Sequence, residues 1–277
     1  YVLRHYDAPL VTRADLERVH DSAYLDRVYA MAPGPGGASV EIDGDTVMSP
    51  GSLRAAERAS GAGVLAVDLV MRGEANPVFC AVRPQGHHAV RGQAMGFCLF
   101  NNIAVAAAHA LDVHGLERVA VVDFDVHHGN GTQHIFDTDN TVFYYSIHEH
   151  PSFAYPGTGR EFETGFSTGE GFTKNSPILP GRGDDEYRDK LLNDLVPTFH
   201  EFAPDAVLHS AGFDAHENDL MSGTNLSTEG YELVNDTIFE LIRSTTGGKV
   251  VSVLEGGYDL QILPVLVANH IRKMMAL

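Results

Sequence analysis

The stretch Val121–Thr132, VVDFDVHHGNGT, closes an apolar run with two aspartates and two adjacent histidines. Its first half belongs to VAVVDF (119–124), a near-continuous apolar segment of the kind found in strands buried on both faces of a parallel sheet. A strand interior has no use for so many ionisable groups. The carboxyl end of a strand, where open α/β sheets bind their ligands, does. Similar apolar runs are VFCAV (78–82), VFYYSI (142–147), AVLHS (206–210) and KVVSVL (249–254). Helical patterns separate them, over 52–71, 101–113, 186–202, 228–244 and 260–275. Strand–helix alternation predicts βαβ units and a mostly parallel sheet covered by helices on both faces. APGPGGAS (32–39) reads as a loop, and 151–184, rich in Gly, Pro and Thr, as a long irregular segment. A loop of that length in a compact domain usually serves function.

The bulk numbers fit this picture. The 277 residues, 44% hydrophobic and 20% charged, suit a globular chain and are read as one domain over 1–277. No apolar run approaches the roughly 18 residues of a membrane span, so no membrane partner is expected. The net charge of −18, with 19 Lys+Arg against 37 Asp+Glu, argues against nucleic acid, which needs cations to displace its counterions. It suits a positively charged ligand or a generally acidic proteome, and plain solubility accounts for it more simply than either. Cys80 and Cys98 make no disulfide framework. The chain carries no signal peptide, so a cytoplasmic location is expected. It begins at Tyr1 rather than methionine, so its natural start is expected to precede it.

The unusual residues fall at strand ends. RPQGHH follows 78–82, DFDVHHGN closes 119–124, AGFDAH follows 206–210 and EGGY follows 249–254. Strand alternation puts Asp123, Asp125 and His127 on one side and His128 on the other. Asp125 and His127 can then converge on one ion. A carboxylate and an imidazole suit zinc, whose catalytic sites use three protein ligands and one open position. Asp214 is the best third ligand, with Gly212 expected to let the backbone turn sharply before it. His87 and His88 suggest proton transfer, with metal binding as the rival reading. Asp123 can orient His87 and favour its charge, and Asn130 can orient His88 without doing so, giving the two rings different basicity. Tyr258, after two glycines, can donate a hydrogen bond to an oxyanion. Phe97 and Tyr155 can face one another as an apolar slot.

The motifs RPQGHHA, GFCLFNN, VVDFDVHHGNGT, YPGTG, SAGFDAH and LEGGYDL, taken together, resemble the histone deacetylase family, which includes acetylpolyamine amidohydrolases and acetoin-utilisation proteins. The form of these motifs is most similar to the class II and bacterial branch. The resemblance implies the three-layer arginase–deacetylase α/β fold with a central, mostly parallel eight-stranded sheet. It implies one Zn2+ per chain on Asp125, His127 and Asp214, and catalysis by His87 and His88, with His88 as general base and acid. Tyr258 would polarise the scissile carbonyl. Gly96, Phe97, Tyr155 and Met221 would bind the substrate, and a K+ would sit near Asp123, Asp125, His127, Ser146 and Ile147. The expected partner is an acylated lysine side chain or an acetylated small amine, deacylated by hydrolysis. Acetylpolyamine hydrolysis, a two-metal arginase-type hydrolase and a non-catalytic acyl-lysine reader are the alternatives. The sequence fixes no oligomeric state.

Overall fold

The computed structural model describes residues 3–277, so Tyr1 and Val2 of the expected domain lie outside the described residues. The chain starts with two short helices, α1 (Arg13–Glu17) and α2 (Ser22–Met31), then an antiparallel ribbon of β1 (Val40–Asp43) and β2 (Thr46–Met48). The α/β alternation follows: α3 (Ser52–Met71), β3 (Val78–Cys80), α4 (Asn102–His114), β4 (Val119–Asp123), α5 (Asn130–Phe136) and β5 (Val142–Glu149). Then come β6 (Thr173–Ile178), α6 (Asp184–Lys190), α7 (Val196–Phe202), β7 (Ala206–Ala211), α8 (Thr228–Thr246), β8 (Val250–Leu254) and α9 (Leu263–Met274).

The central sheet has the order β3-β8-β7-β4-β5-β6, and every pairing in it is parallel. It holds six strands among the described residues, not the eight expected. The remaining two strands form the β1–β2 ribbon, and β1 (VEID) is too polar and too exposed to join a sheet buried on both faces. Strand alternation splits the core into two layers. Val119, Val121, Leu208 and Val251 point into a layer with α3 and α4, while Ala120, Val122, Val207 and Val250 point into one with α7 and α8.

Local signals account for both ends of α4. Asn101 caps α4 by accepting from the Ala104 N–H at 3.0 Å, and Gly115, at φ 65°, closes it in the left-handed conformation. Two expectations need correction. The helix expected over 186–202 is interrupted by a π-turn at Leu191–Leu195, because Pro197 has no N–H to continue the ladder. The irregular stretch 151–184 contains β6, whose sequence TKNSPI is too polar to read as a buried strand. It pairs only with β5, at the sheet edge, where Pro177 is tolerated.

His209 on β7 is fully buried against the Phe239 ring, at 5.5 Å, and Phe124, at 6.0 Å. Among the described residues neither of its ring nitrogens has a partner, whereas nearby His270 pairs with Ser252 and Asn235. Burial, then the neighbouring His270, keeps His209 neutral by lowering its pKa well below the usual value. An orphaned buried polar group costs about 1–3 kcal/mol. His209→Leu should therefore raise the stability of the protein by about that amount. Urea unfolding of both proteins checks this, and a lower midpoint for the variant would contradict it.

Candidate active site

The carboxyl ends of β4, β7 and β8 and the loop after β3 meet at one place. β4 ends at Asp123, so Asp125 and His127 lie beyond the strand, in a turn that leads into α5. Asp125, His127 and Asp214 nevertheless come together, with one ligand atom from each within 4.8 Å of the others. His127 Nδ1 lies 3.2 Å from Asp125 Oδ1 and 3.1 Å from Asp214 Oδ2. The carboxylates are fixed by backbone donors. Gly256 N–H donates to Asp125 Oδ2 at 2.7 Å, and Val126 N–H to Asp214 Oδ1 at 3.0 Å. The role expected of Gly212, a sharp turn, is replaced by close approach. A Cβ on Gly212 would lie within 2.5 Å of the Asp125 Cα and Cβ, and one on Gly256 would strike both Asp214 and Asp125.

All three residues are buried. Among the described residues, histidines are the only cationic side chains paired with Asp123, Asp125 or Asp214. Burial lowers the pKa of His127, but its bonds to Asp125 and Asp214 outweigh this and hold it at about 11. The cluster thus retains a proton where a cation fits. Two hard carboxylate oxygens and one imidazole nitrogen, held in a close-fitting pocket, match the donor set of a divalent transition metal.

The histidine pair faces this cluster. His87 Nδ1 lies 2.9 Å from Asp123 Oδ2, and His88 Nδ1 lies 2.8 Å from Asn130 Oδ1. The rings lie with centroids 4.1 Å apart and their planes tilted by 45°. Burial depresses both, but Asp123, then Asp125 and Glu255, raise His87 to about 10. At His88 the raising effects of Asp125 and Asn130 are outweighed. Burial first, and then the charge of His87, push it well below 6.5. One ring is therefore a cation and the other a neutral base. His128 faces away from the cluster and pairs with Thr158 and Gln133, at 2.8 and 2.9 Å.

Tyr258 is half-buried. Burial, then Asp214 and Asp125, raise its pKa, so the phenol keeps its proton. Gln85 donates to its hydroxyl at 3.1 Å and leaves the phenolic proton free to donate elsewhere. Arg83 lies over the Tyr258 ring at 5.9 Å and donates to the Gly257 carbonyl at 3.1 Å. Phe97, Tyr155 and Met221 are exposed, and the Tyr155 ring stands edge-on to His88 at 5.1 Å. Gly96 packs so close to His88 that a Cβ there would overlap the imidazole. Ser146 and Ile147, expected beside a potassium ion, are buried on β5. Asp123 is in register with Ser146, whose hydroxyl pairs with His148 at 2.8 Å.

The sequence reading missed several residues that build the site. Glu255 Oε2 accepts the N–H groups of Gly86 and His87, at 2.8 and 3.2 Å, and Ser210 donates to Oε1 at 3.1 Å. Tyr144 donates to Asp123 at 3.1 Å. Asp219 accepts the N–H of Tyr258 at 2.7 Å. Glu255, Arg83 and Gln85 stood inside the EGGY and RPQGHH motifs and were legible as neighbours. Asp219 carried no signal.

Comparison with known proteins gives a consistent picture. The family model described as the histone deacetylase domain matches residues 2–274. The chain is 39% identical over 272 residues to Histone deacetylase 14, chloroplastic, of Arabidopsis thaliana, covering 95% of this chain but only 64% of that protein. It is 38% identical over 257 residues to the histone deacetylase-like amidohydrolase of Pseudomonas aeruginosa, covering 93% of this chain and 67% of the relative. Among solved structures, the crystal structure of the HDA15 HD domain superimposes with a TM-score of 0.91 at 36% identity, covering 98% of this chain and 77% of that one. The chain thus spans less than two thirds of the Arabidopsis relative's length.

The packing at Gly256 yields a prediction. Gly256→Ala should displace Asp125 and Asp214 and weaken divalent-metal binding by at least about 10–100-fold, as loss of a supporting contact does elsewhere. Competition with a chromophoric chelator measures it, and an unchanged affinity would contradict the close-approach role.

Proposed function

The chain belongs to the histone deacetylase family, and on that premise we propose that it is a zinc-dependent amidohydrolase. It removes acetyl or another short acyl group from an acylated lysine or a related amine. The observation that carries this reading is the pairing of a charged and a neutral histidine in front of the Asp125, His127 and Asp214 cluster. Zinc held by these three residues would polarise the acyl carbonyl and make a water acidic near neutral pH.

The remaining steps fall to the chain's own groups. His88, neutral and oriented by Asn130, takes a proton from the attacking water. His87, charged and held by Asp123, keeps the pKa of His88 low and stabilises the negative charge that develops beside it. Tyr258 donates its phenolic proton to the tetrahedral oxyanion, while Gln85 fills a lone pair of the same hydroxyl. His88 then returns its proton to the leaving amine as the C–N bond breaks, giving the carboxylic acid and the free amine. Phe97, Tyr155 and Met221 would flank the acyl chain, and the Gly96 carbonyl would accept from the substrate amide. A potassium ion near Asp123, Asp125, His127, Ser146 and Ile147 would offset part of the buried negative charge. Acetylated polyamines are the second substrate class, favoured by the net charge of −18.

Three measurements test the proposal. Tyr258→Phe should lose roughly 10²–10³ in kcat, the usual cost of an oxyanion donor. Wild-type turnover in that variant would remove Tyr258 from the mechanism. The second concerns pH. In the wild type the acid limb of kcat/KM should lie below pH 6.5, because His88 is a base with a depressed pKa. Asp123→Asn deprives His87 of the partner that maintains its charge. His88 then feels less repulsion, its pKa rises, and the acid limb should move to higher pH. A limb that stays in place would contradict the division of labour between the rings. Finally, rates on acetyl-lysine peptides, trifluoroacetyl-lysine and acetylated polyamines should rank the substrate classes. Failure of zinc-loaded protein to cleave any of them would favour a non-catalytic reader.

A further inference from the structure

A second set of metal-binding side chains lies outside this site, among α1, α3 and α4. His109 and His114 come from the last two turns of α4, and Asp68 from α3. His109 Nε2 lies 3.0 Å and His114 Nε2 2.7 Å from one oxygen, Asp68 Oδ1. The two rings meet edge to face at 5.5 Å, so both nitrogens point at a common spot. Potential ligand atoms of all three residues lie within 4.8 Å of one another.

The surroundings hold these groups as ligands are held. His109 turns its other nitrogen, Nδ1, to Asp15 Oδ1 at 3.3 Å, the carboxylate–imidazole arrangement that orients metal-binding histidines. Asp15 is fixed in turn by Thr12 and Arg18. Asp68 gives its second oxygen to Arg72 at 3.0 Å, which leaves Oδ1 for a ligand. His109 is buried, while the side chains of His114 and Asp68 are 16% and 20% exposed, so an ion can reach the site and a fourth position opens to water.

We propose that Asp68, His109 and His114 form a second zinc site that clips α4 to α3, with α1 supporting it through Asp15. Two imidazoles and one carboxylate are a zinc donor set, whereas magnesium and calcium prefer oxygen alone. In the metal-free chain both rings meet Asp68 Oδ1 through Nε2, at 3.0 and 2.7 Å. An ion at that spot would take the lone pairs of the same two nitrogens. Tetrahedral zinc needs its ligand atoms about 3.3 Å apart, so the present spacings must open by a few tenths of an ångström. His114, in the final turn of α4 and partly exposed, has room to move. The site stands apart from the catalytic cluster. α4 starts beside it, where Asn101 donates to the Ala89 carbonyl, and its last residue, His114, is five residues before the amino end of β4.

The test uses the full chain, stripped of metal and dialysed against micromolar zinc. Metal content is then read by atomic emission. Wild type should retain two equivalents, and His114→Ala and Asp214→Ala one each. His114→Ala should keep wild-type turnover and lose the extra rise in Tm that zinc gives the wild type. His114→Gln, which keeps side-chain bulk, should behave the same way and guards against a folding defect. A wild type that retains one ion, lost only in Asp214→Ala, would overturn the second site and leave the catalytic reading intact. Two ions in both His114 variants would also overturn it, and would point to a two-metal catalytic centre instead.

Discussion

Everything at the site depends on how three buried carboxylates are neutralised. Asp123, Asp125 and Asp214 sit at or just beyond neighbouring strand ends, almost wholly out of water, and among the described residues no lysine or arginine is paired to them. Isolated charges in such a place are too costly to persist, so each must find a cation, a proton or several hydrogen bonds. Asp123 uses His87 and the Tyr144 hydroxyl. Asp125 and Asp214 share His127 and take backbone N–H groups from Gly256 and Val126. What remains is a concentrated negative field that a divalent ion would satisfy. The same field charges His87, and burial together with that charge keeps its neighbour neutral. One electrostatic constraint thus shapes both the fit of the cluster to a cation and the basicity of the histidine pair.

The scaffold meets that constraint through close backbone approach. Register places Asp123 beside Ser210 on β7 and Ser146 on β5, so the strand ends arrive level with one another. The segments that follow β7 and β8 then pack against Asp125 and Asp214 at Gly212 and Gly256, where any side chain would intrude. Glu255 ties the segment after β8 to the loop carrying His87. Arg83 holds the peptide before Tyr258 through the Gly257 carbonyl, and Asp219 accepts the N–H groups of Tyr258 and Asp259. These tethers cross between elements distant in sequence, which makes the arrangement rigid before any ligand arrives.

Much of this was legible in the sequence because buried parallel strands are written as apolar runs. The five runs that read as strands became β3, β4, β5, β7 and β8. β6 was hidden, since an edge strand tolerates polar residues and a proline. The convergence of Asp125, His127 and Asp214 was also legible, although the alternation argument extended a strand that ends at Asp123. The turn beyond the strand keeps Asp125 and His127 together through the Asp125 carboxylate, which accepts the His127 N–H at 2.9 Å. Asp219 and Tyr144 stayed invisible because their roles exist only in three dimensions. Nothing local in sequence marks a carboxylate that binds a backbone 39 residues away.

The most direct test of the central claim is anomalous diffraction at the zinc edge from crystals of the zinc-loaded protein. The account predicts a peak about 2.0–2.2 Å from Asp125, His127 Nδ1 and Asp214, with His87 and His88 outside bonding distance. A peak ligated by His87 or His88, or none at this cluster, would contradict it.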